Sequence, residues 1–149
     1  MNRVKKFLRH AGSERWLLIE ALGCLCWVKA VLLLVPFRWI APRLGRQMAE
    51  SSSSLNPPER ELALRVSWAV QAVSRHVPLG FVCLPQAMAA KWMLRRRGLP
   101  TTLYLGLRRG EALKVAAHAW LRAGDKILTG APGQQNHQVI ATFAEEPAF

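Results

Sequence analysis

Cysteine, aspartate and tyrosine are scarce in this 149-residue chain, which contains three cysteines and a single residue of each of the other two types. Cys24 and Cys26 stand two residues apart in an apolar run of helical character, where their side chains diverge by about 200°, so no disulfide framework can form. His76 and His137 are isolated, and no cysteine or histidine pair has the spacing of zinc ligands. No glycine-rich phosphate-binding loop is present either. We therefore expect no metal and no cofactor, and a reducing cytoplasm as the location.

Acidic residues are also few, since 9 of them face 21 lysines and arginines and leave a net charge of +12. The excess lies in residues 1–110, whereas residues 111–149 are slightly acidic. Such a charge attracts anionic partners, namely nucleic acid, acidic lipid or an acidic peptide segment. No helix-turn-helix, zinc finger or aromatic-interleaved strand motif accompanies the charge, so we do not expect nucleic-acid binding.

A long apolar run fills residues 16–35, and its twenty residues are enough to cross a bilayer. Glu20 and Lys29 oppose that interpretation, because each ionised side chain costs about 2.5–3.5 kcal/mol near the centre of a spanning helix. A buried or partner-facing helix is our first interpretation, and peripheral membrane contact is the second. Residues 1–55 are therefore predicted to form a hydrophobic, basic helical extension, and serines 51–54 to form a mobile surface linker.

Residues 56–149 carry the signals of an α+β core. Asn56, two prolines and Glu59 predict the start of a helix, and apolar residues from Leu62 to Val77 recur on one face of it. Alternating patterns then predict strands in four places, at residues 101–108, 115–122, 126–129 and 138–143. We expect a helical layer packed on a small antiparallel sheet.

Cys83 is predicted to stand at the start of a helix. The run that follows it has Pro85 in its first turn, arginines 95–97 in its last turn and Gly98 just beyond. A cysteine in this position lies at the positive end of the helix dipole, which favours the thiolate. The same backbone N–H groups can hold an oxyanion, with Gln86 as a further candidate donor.

His118 lies on a predicted strand, where alternation places it on the same face as Trp120. Taken alone, Cys83 and His118 would each more often be structural residues. A cysteine at a helix start followed by a histidine on a strand is, however, the arrangement of papain-like and transglutaminase-like thiol enzymes. The joint pattern predicts acyl transfer in which Cys83 is the nucleophile and His118 moves the proton.

These segments and their order are typical of one family. The motifs are Cys-Leu-Pro-Gln-Ala at 83–87, Arg-Arg-Arg-Gly at 95–98, Ala-His-Ala-Trp-Leu at 117–121, Gly-Asp at 124–125 and Ile-Leu-Thr-Gly at 127–130. Together they resemble the stand-alone leader peptidases of lasso-peptide biosynthesis, which are B-type maturation proteins of the transglutaminase-like superfamily. The likeness is close over roughly residues 60–130. It implies a papain- or transglutaminase-like core in residues 56–149.

The resemblance also implies a substrate and partners. Family members remove the leader from a ribosomally made precursor that a separate leader-binding protein delivers, and an asparagine-synthetase-like cyclase then closes the macrolactam ring. We expect this chain to need that leader-binding partner. Two other interpretations remain open: a transglutaminase- or deamidase-type acyl transferase, and a catalytically inactive basic binding module.

The third catalytic group is where the sequence departs from the family. The family's aspartate is expected about a dozen residues after the histidine, near Gly130, where no carboxylate stands. Asp125 is the only aspartate and hence the candidate for orienting His118, although a turn at 124–125 would place it at the tip of a hairpin. Asn136 or a backbone carbonyl are the alternatives.

Overall fold

Helices pack against an antiparallel sheet in the computed structural model of the protein, which describes residues 12–52, 54–109, 115–131 and 137–144. This architecture confirms the predicted α+β class with an amino-terminal helix. The helices are α1 (Gly12–Leu34), α2 (Phe37–Ile40), α3 (Pro57–His76) and α4 (Cys83–Arg95), and a 3-10 turn covers Ala41–Leu44. The strands are β1 (Arg46–Gln47), β2 (Thr102–Arg109), β3 (Val115–Ala123), β4 (Lys126–Thr129) and β5 (Gln138–Ala144). They lie in the sheet in the order β1-β5-β2-β3-β4.

The start of α3 follows directly from its sequence. The side-chain oxygen of Asn56 accepts a hydrogen bond from the backbone N–H of Glu59 at 2.9 Å, as an N-cap residue does. Prolines occupy the first helical positions, where their missing N–H groups cost nothing. The predicted apolar face is confirmed, since Val66, Ala69 and Val73 are buried.

Helix α1 shares the hydrophobic core of the remaining chain. One side of it, which includes Leu17, Leu25 and Val28, is buried against α3 and α4. The two ionised residues in its apolar run both have partners. Glu20 contacts the guanidinium groups at the end of α4, and Lys29 donates to backbone carbonyls that precede α4. The prediction of a buried helix is therefore confirmed for this side of α1.

The two faces of the sheet differ in what they carry. Strand β2 pairs with β3 so that Leu103 lies opposite Leu121, and both belong to the core beneath the helices. In the same register Gly106 lies opposite His118 and Tyr104 lies opposite Trp120. Because side chains alternate along a strand, these residues occupy the other face. We call it the His118 face.

Ser51 is buried, so the prediction that it lies in a mobile surface linker is wrong. Its backbone N–H donates to the hydroxyl of Thr102 at 2.8 Å, and its carbonyl accepts from Arg122 at 2.9 Å. Strand β1, which the sequence did not predict, pairs with the end of β5 just before this point. The chain between α1 and α3 is therefore tied to the sheet, because its polar groups find partners there.

The burial of α1 predicts a difference between two leucines on the same helix. Leu25 is 0% exposed and Leu33 is 76% exposed. Leu25→Ala should lower the free energy of unfolding by about 2–5 kcal/mol, because it leaves a cavity between α1 and the other helices. Leu33→Ala, the matched control, should change it by less than about 0.5 kcal/mol. Urea unfolding followed by circular dichroism measures both, and equal effects would contradict the packing of α1.

Candidate thiol active site

Cys83 is the first residue of α4, as predicted, and its thiol is half-buried. Val82 precedes the helix and offers no side-chain cap, so the N–H groups at the start of α4 are left for other partners. Pro85 lacks an N–H group, and the donors in this first turn are consequently those of Cys83 and Leu84. A carbonyl oxygen that becomes negatively charged beside the thiol would meet these donors and the positive end of the helix dipole.

The segment that leads into Cys83 is fixed from two sides. The amide nitrogen of Gln86 donates to the carbonyl of Phe81 at 2.7 Å. From α1, the ammonium group of Lys29 donates to the carbonyls of Leu79 and Gly80 and lies 5.8 Å from the centre of the Phe81 ring. Gln86 therefore holds the backbone before the thiol, where the sequence suggested an oxyanion donor.

His118 makes its hydrogen bond to a backbone group. Its Nε2 atom lies 2.6 Å from the carbonyl oxygen of Gly130. A carbonyl can only accept, so Nε2 carries the hydrogen, and in the neutral ring Nδ1 is then the acceptor. This is the tautomer that a general base needs, because one nitrogen is fixed by the bond and the other can receive a proton.

Gly130 reaches His118 because of its backbone conformation. Its φ angle is +72°, which alanine adopts only under strain, and a Cβ atom at this position would collide with the carbonyl oxygen of Ala119. Helix α3 holds β4, the strand that precedes Gly130, through two hydrogen bonds. Ser67 donates to the carbonyl of Leu128 at 2.5 Å and Gln71 donates to the same oxygen at 2.7 Å. The orientation of His118 thus depends on α3 through β4.

Aromatic rings line the His118 face and limit the movement of the imidazole. The ring centre of His118 lies 5.7 Å from that of Trp120, and Trp120 stacks on Tyr104 at 5.4 Å with an interplanar angle of 5°. Gly106 makes this stack possible, since a Cβ atom there would lie 2.8 Å from the Trp120 ring. His137 completes the row at 5.0 Å from His118. Sequence reasoning missed His137, because only the fold brings it to the site.

The helix that begins at Cys83 packs on β3, whose other face carries the His118 side chain. Within the sheet, helix α4 packs most on β3 and next on β4, and it packs still more on α1. Strand β4 pairs with β3 only from Leu121 to Ala123, so near His118 the outer edge of β3 is bordered by Gly130. Among the described contacts no hydrogen bond joins the Cys83 thiol to the His118 ring.

Comparison with known proteins shows to which family the chain belongs. The model of the transglutaminase-like superfamily matches residues 31–142, a span that contains Cys83, His118 and Gly130. The chain belongs to the transglutaminase-like superfamily. No curated protein and no solved structure matches it significantly. Members of this superfamily are generally thiol peptidases and acyltransferases, and the α+β fold described above agrees with that membership.

In this transglutaminase-like fold Asp125 does not lie beside His118. It occupies the turn between β3 and β4 and is exposed. The strand from His118 to Ala123 spans about 17 Å at the usual rise per residue, so a short carboxylate at the turn cannot reach the ring. Asn136, the other candidate side chain, lies outside the described residues.

Two glycines whose φ angles are both positive allow a test of the contact between Gly130 and His118. Gly98 has a φ angle of +74° and open space around it, whereas Gly130 has a φ angle of +72° and no room for a Cβ atom. Gly98→Ala should cost about 1–2 kcal/mol of stability from strain alone. Gly130→Ala should cost more and should also mix the two neutral tautomers of His118, which ¹⁵N NMR of the imidazole resolves. An unchanged His118 spectrum in Gly130→Ala would show that the carbonyl does not hold the ring.

Proposed function

We propose that this protein is a cysteine peptidase that removes the leader from a ribosomally made lasso-peptide precursor before the macrolactam ring closes. The observation that carries the proposal is the carbonyl-held His118 ring, with Nδ1 as its acceptor, on the strand against which the Cys83 helix packs. Membership of the transglutaminase-like superfamily supports thiol acyl transfer. The motifs at residues 83–87 and 117–121 support the choice of a leader peptide as substrate.

The first half of the reaction forms an acyl-enzyme. Cys83 gives its proton to Nδ1 of His118, and the thiolate sulfur attacks the carbonyl carbon of the scissile peptide bond. The N–H groups at the start of α4 stabilise the oxyanion, a contribution of about 3 kcal/mol for one such donor in other enzymes. His118 then protonates the amine of the core peptide, which leaves as the carbon–nitrogen bond breaks. The leader remains bound to Cys83 as a thioester.

The second half releases the leader. His118 takes a proton from water as the water oxygen attacks the thioester carbonyl. The sulfur leaves as the thiolate and the leader departs with a free carboxylate. The Gly130 carbonyl accepts the Nε2 hydrogen throughout and orients the ring, as an asparagine or aspartate side chain does in related thiol enzymes.

The partners follow from the same proposal. A separate leader-binding protein presents the precursor, and an asparagine-synthetase-like cyclase uses the freed amine. Nucleic acid has no part in this scheme. The proposed cytoplasmic location keeps the Cys83 thiol reduced.

Mass spectrometry of a precursor peptide tests the proposal directly. Incubation with the full-length protein and its leader-binding partner should cleave a single bond at the leader–core junction. Cys83→Ala and His118→Ala should each reduce the rate by at least about a thousandfold, because removing one member of such a pair stops the proton transfer on which the other depends. Circular dichroism of both variants should match that of the parent.

The other outcomes separate the alternatives. A mass gain from glutamine deamidation without cleavage would replace the peptidase with a deamidase. Covalent joining of the precursor to an amine would indicate a transglutaminase. No change at all, with folded protein and a functional leader-binding partner, would leave the chain as an inactive binding module.

The three cysteines provide a second test. Burial raises the pKa of the Cys24 thiol, and the carboxylate of Glu20 adds to the effect, so this thiol reacts slowly. Cys26 is exposed on α1 and serves as the internal control for an accessible thiol. Iodoacetamide should label Cys83 before Cys26 and Cys24, as peptide mapping after brief exposure would detect. Equal labelling of Cys83 and Cys26, or slower labelling of Cys83, would remove the case for an activated nucleophile.

A further inference from the structure

The side of α1 that turns away from the domain is apolar from Trp16 to the end of the helix, and Arg15 is the charged residue that precedes it on the same side. Its large exposed side chains are Trp16, Ile19, Leu22, Trp27, Leu33 and Leu34, which we call the outer stripe. At 100° per residue these positions fall within an arc of about 140° on the helix. Trp16 and Trp27 are 72% and 66% exposed. The helix is long and apolar enough to span a membrane, and only 28% of its most apolar window is buried.

The two ionised residues inside this run do not interrupt the outer stripe. By the same helical geometry Glu20 and Lys29 stand at its opposite borders. The carboxylate of Glu20 turns to Arg96 at 3.0 Å and Arg97 at 2.5 Å, while Lys29 turns to the carbonyls before α4. The charges of Glu20 and Lys29 therefore do not oppose lipid contact on this side of the helix, because both have partners within the domain.

The packing of α1 restricts how a bilayer can receive it. Its opposite side, from Leu17 to Val28, is buried against α3 and α4, and those helices carry exposed charges such as Arg65 and Arg95. Moving α1 across a membrane would carry these charges with it at high cost. A helix attached to a folded domain along one side can instead lie in the plane of the interface.

The surroundings of the outer stripe are basic. Arg96 and Arg97 lie at its Glu20 border, Arg65 reaches Ser13 at the start of the helix, and Arg38 is exposed beyond its end, beside the 66% exposed Trp39. A second copy of the chain would bring its own net charge of +12 to this surface, which opposes self-association. Anionic head groups complement the arginines, and tryptophan side chains favour the head-group level of a bilayer.

We propose that the outer stripe of α1 docks the protein in the plane of an anionic phospholipid surface. The apolar side chains enter the boundary between head groups and acyl chains, and the arginines at the border contact the lipid phosphates. The domain and its thiol site remain on the aqueous side. This docking is independent of the proposed peptidase activity, since none of the residues of the outer stripe belongs to the Cys83–His118 site.

Flotation of the purified full-length protein with vesicles tests the proposal. The protein should float with vesicles of phosphatidylcholine and phosphatidylserine and bind at least about tenfold less to phosphatidylcholine alone. Raising the salt should weaken the anionic binding by a similar factor. Cys83→Ala should float like the parent, so that loss of the peptidase activity and loss of docking are distinguishable.

Two double variants identify the surface. Trp27→Ser with Leu33→Ser removes two members of the outer stripe and should lower vesicle binding at least about tenfold. Val139→Ser with Ile140→Ser removes two exposed apolar side chains of β5 and should leave binding unchanged. All four side chains are exposed, so both variants should unfold at nearly the same urea concentration as the parent.

Several results would overturn the proposal. Absence of flotation, equal binding to neutral vesicles, or equal loss of binding in both double variants would each do so. Sedimentation that shows a dimer abolished by the Trp27 and Leu33 substitutions would assign the outer stripe to a second copy. Protection of α1 from protease by the leader-binding protein, without any vesicle binding, would assign it to that partner.

Discussion

The close approach of Gly130 to β3 is the constraint on which the candidate site depends. Without a side chain at this position, the backbone after β4 can pass beside Ala119 and direct its carbonyl to the His118 ring. Helix α3 fixes the approach through the bonds to Leu128. The conformation of one residue therefore couples a helix far from His118 in sequence to the tautomer of the histidine, and that tautomer determines which nitrogen can accept a proton.

A second coupling reaches the thiol from the amino-terminal helix. Lys29 binds the carbonyls of the segment before Cys83, and Glu20 binds the arginines at the far end of the same helix. Both ends of α4 are thus held by charged groups of α1. The helix that offers an apolar surface to the outside therefore also helps to hold the segment that leads into Cys83.

Local signals explain why much of the fold was predictable. The Asn56 cap, the alternation in β2 and the helix start at Cys83 depend on neighbours within a few residues, and the structure has all three. The contact between His118 and Gly130 could not be predicted in this way. The sequence shows only that the position of the family's aspartate, about a dozen residues after His118, has no carboxylate. A positive φ angle and a close backbone approach arise from tertiary packing, and the same holds for His137. The burial of Ser51 escaped prediction because its partners, Thr102 and Arg122, lie far away in sequence.

The use of a main-chain oxygen beside His118 changes which substitutions matter. Every residue supplies a carbonyl, so no single replacement can delete this group, whereas an aspartate in the same role is lost by one change. What a replacement can do is move the oxygen, and glycine is the residue whose exchange moves it most. A comparison of side chains alone would classify this protein as lacking a third group. In this protein Gly130, rather than an acid, is the position whose replacement would show whether the histidine is held.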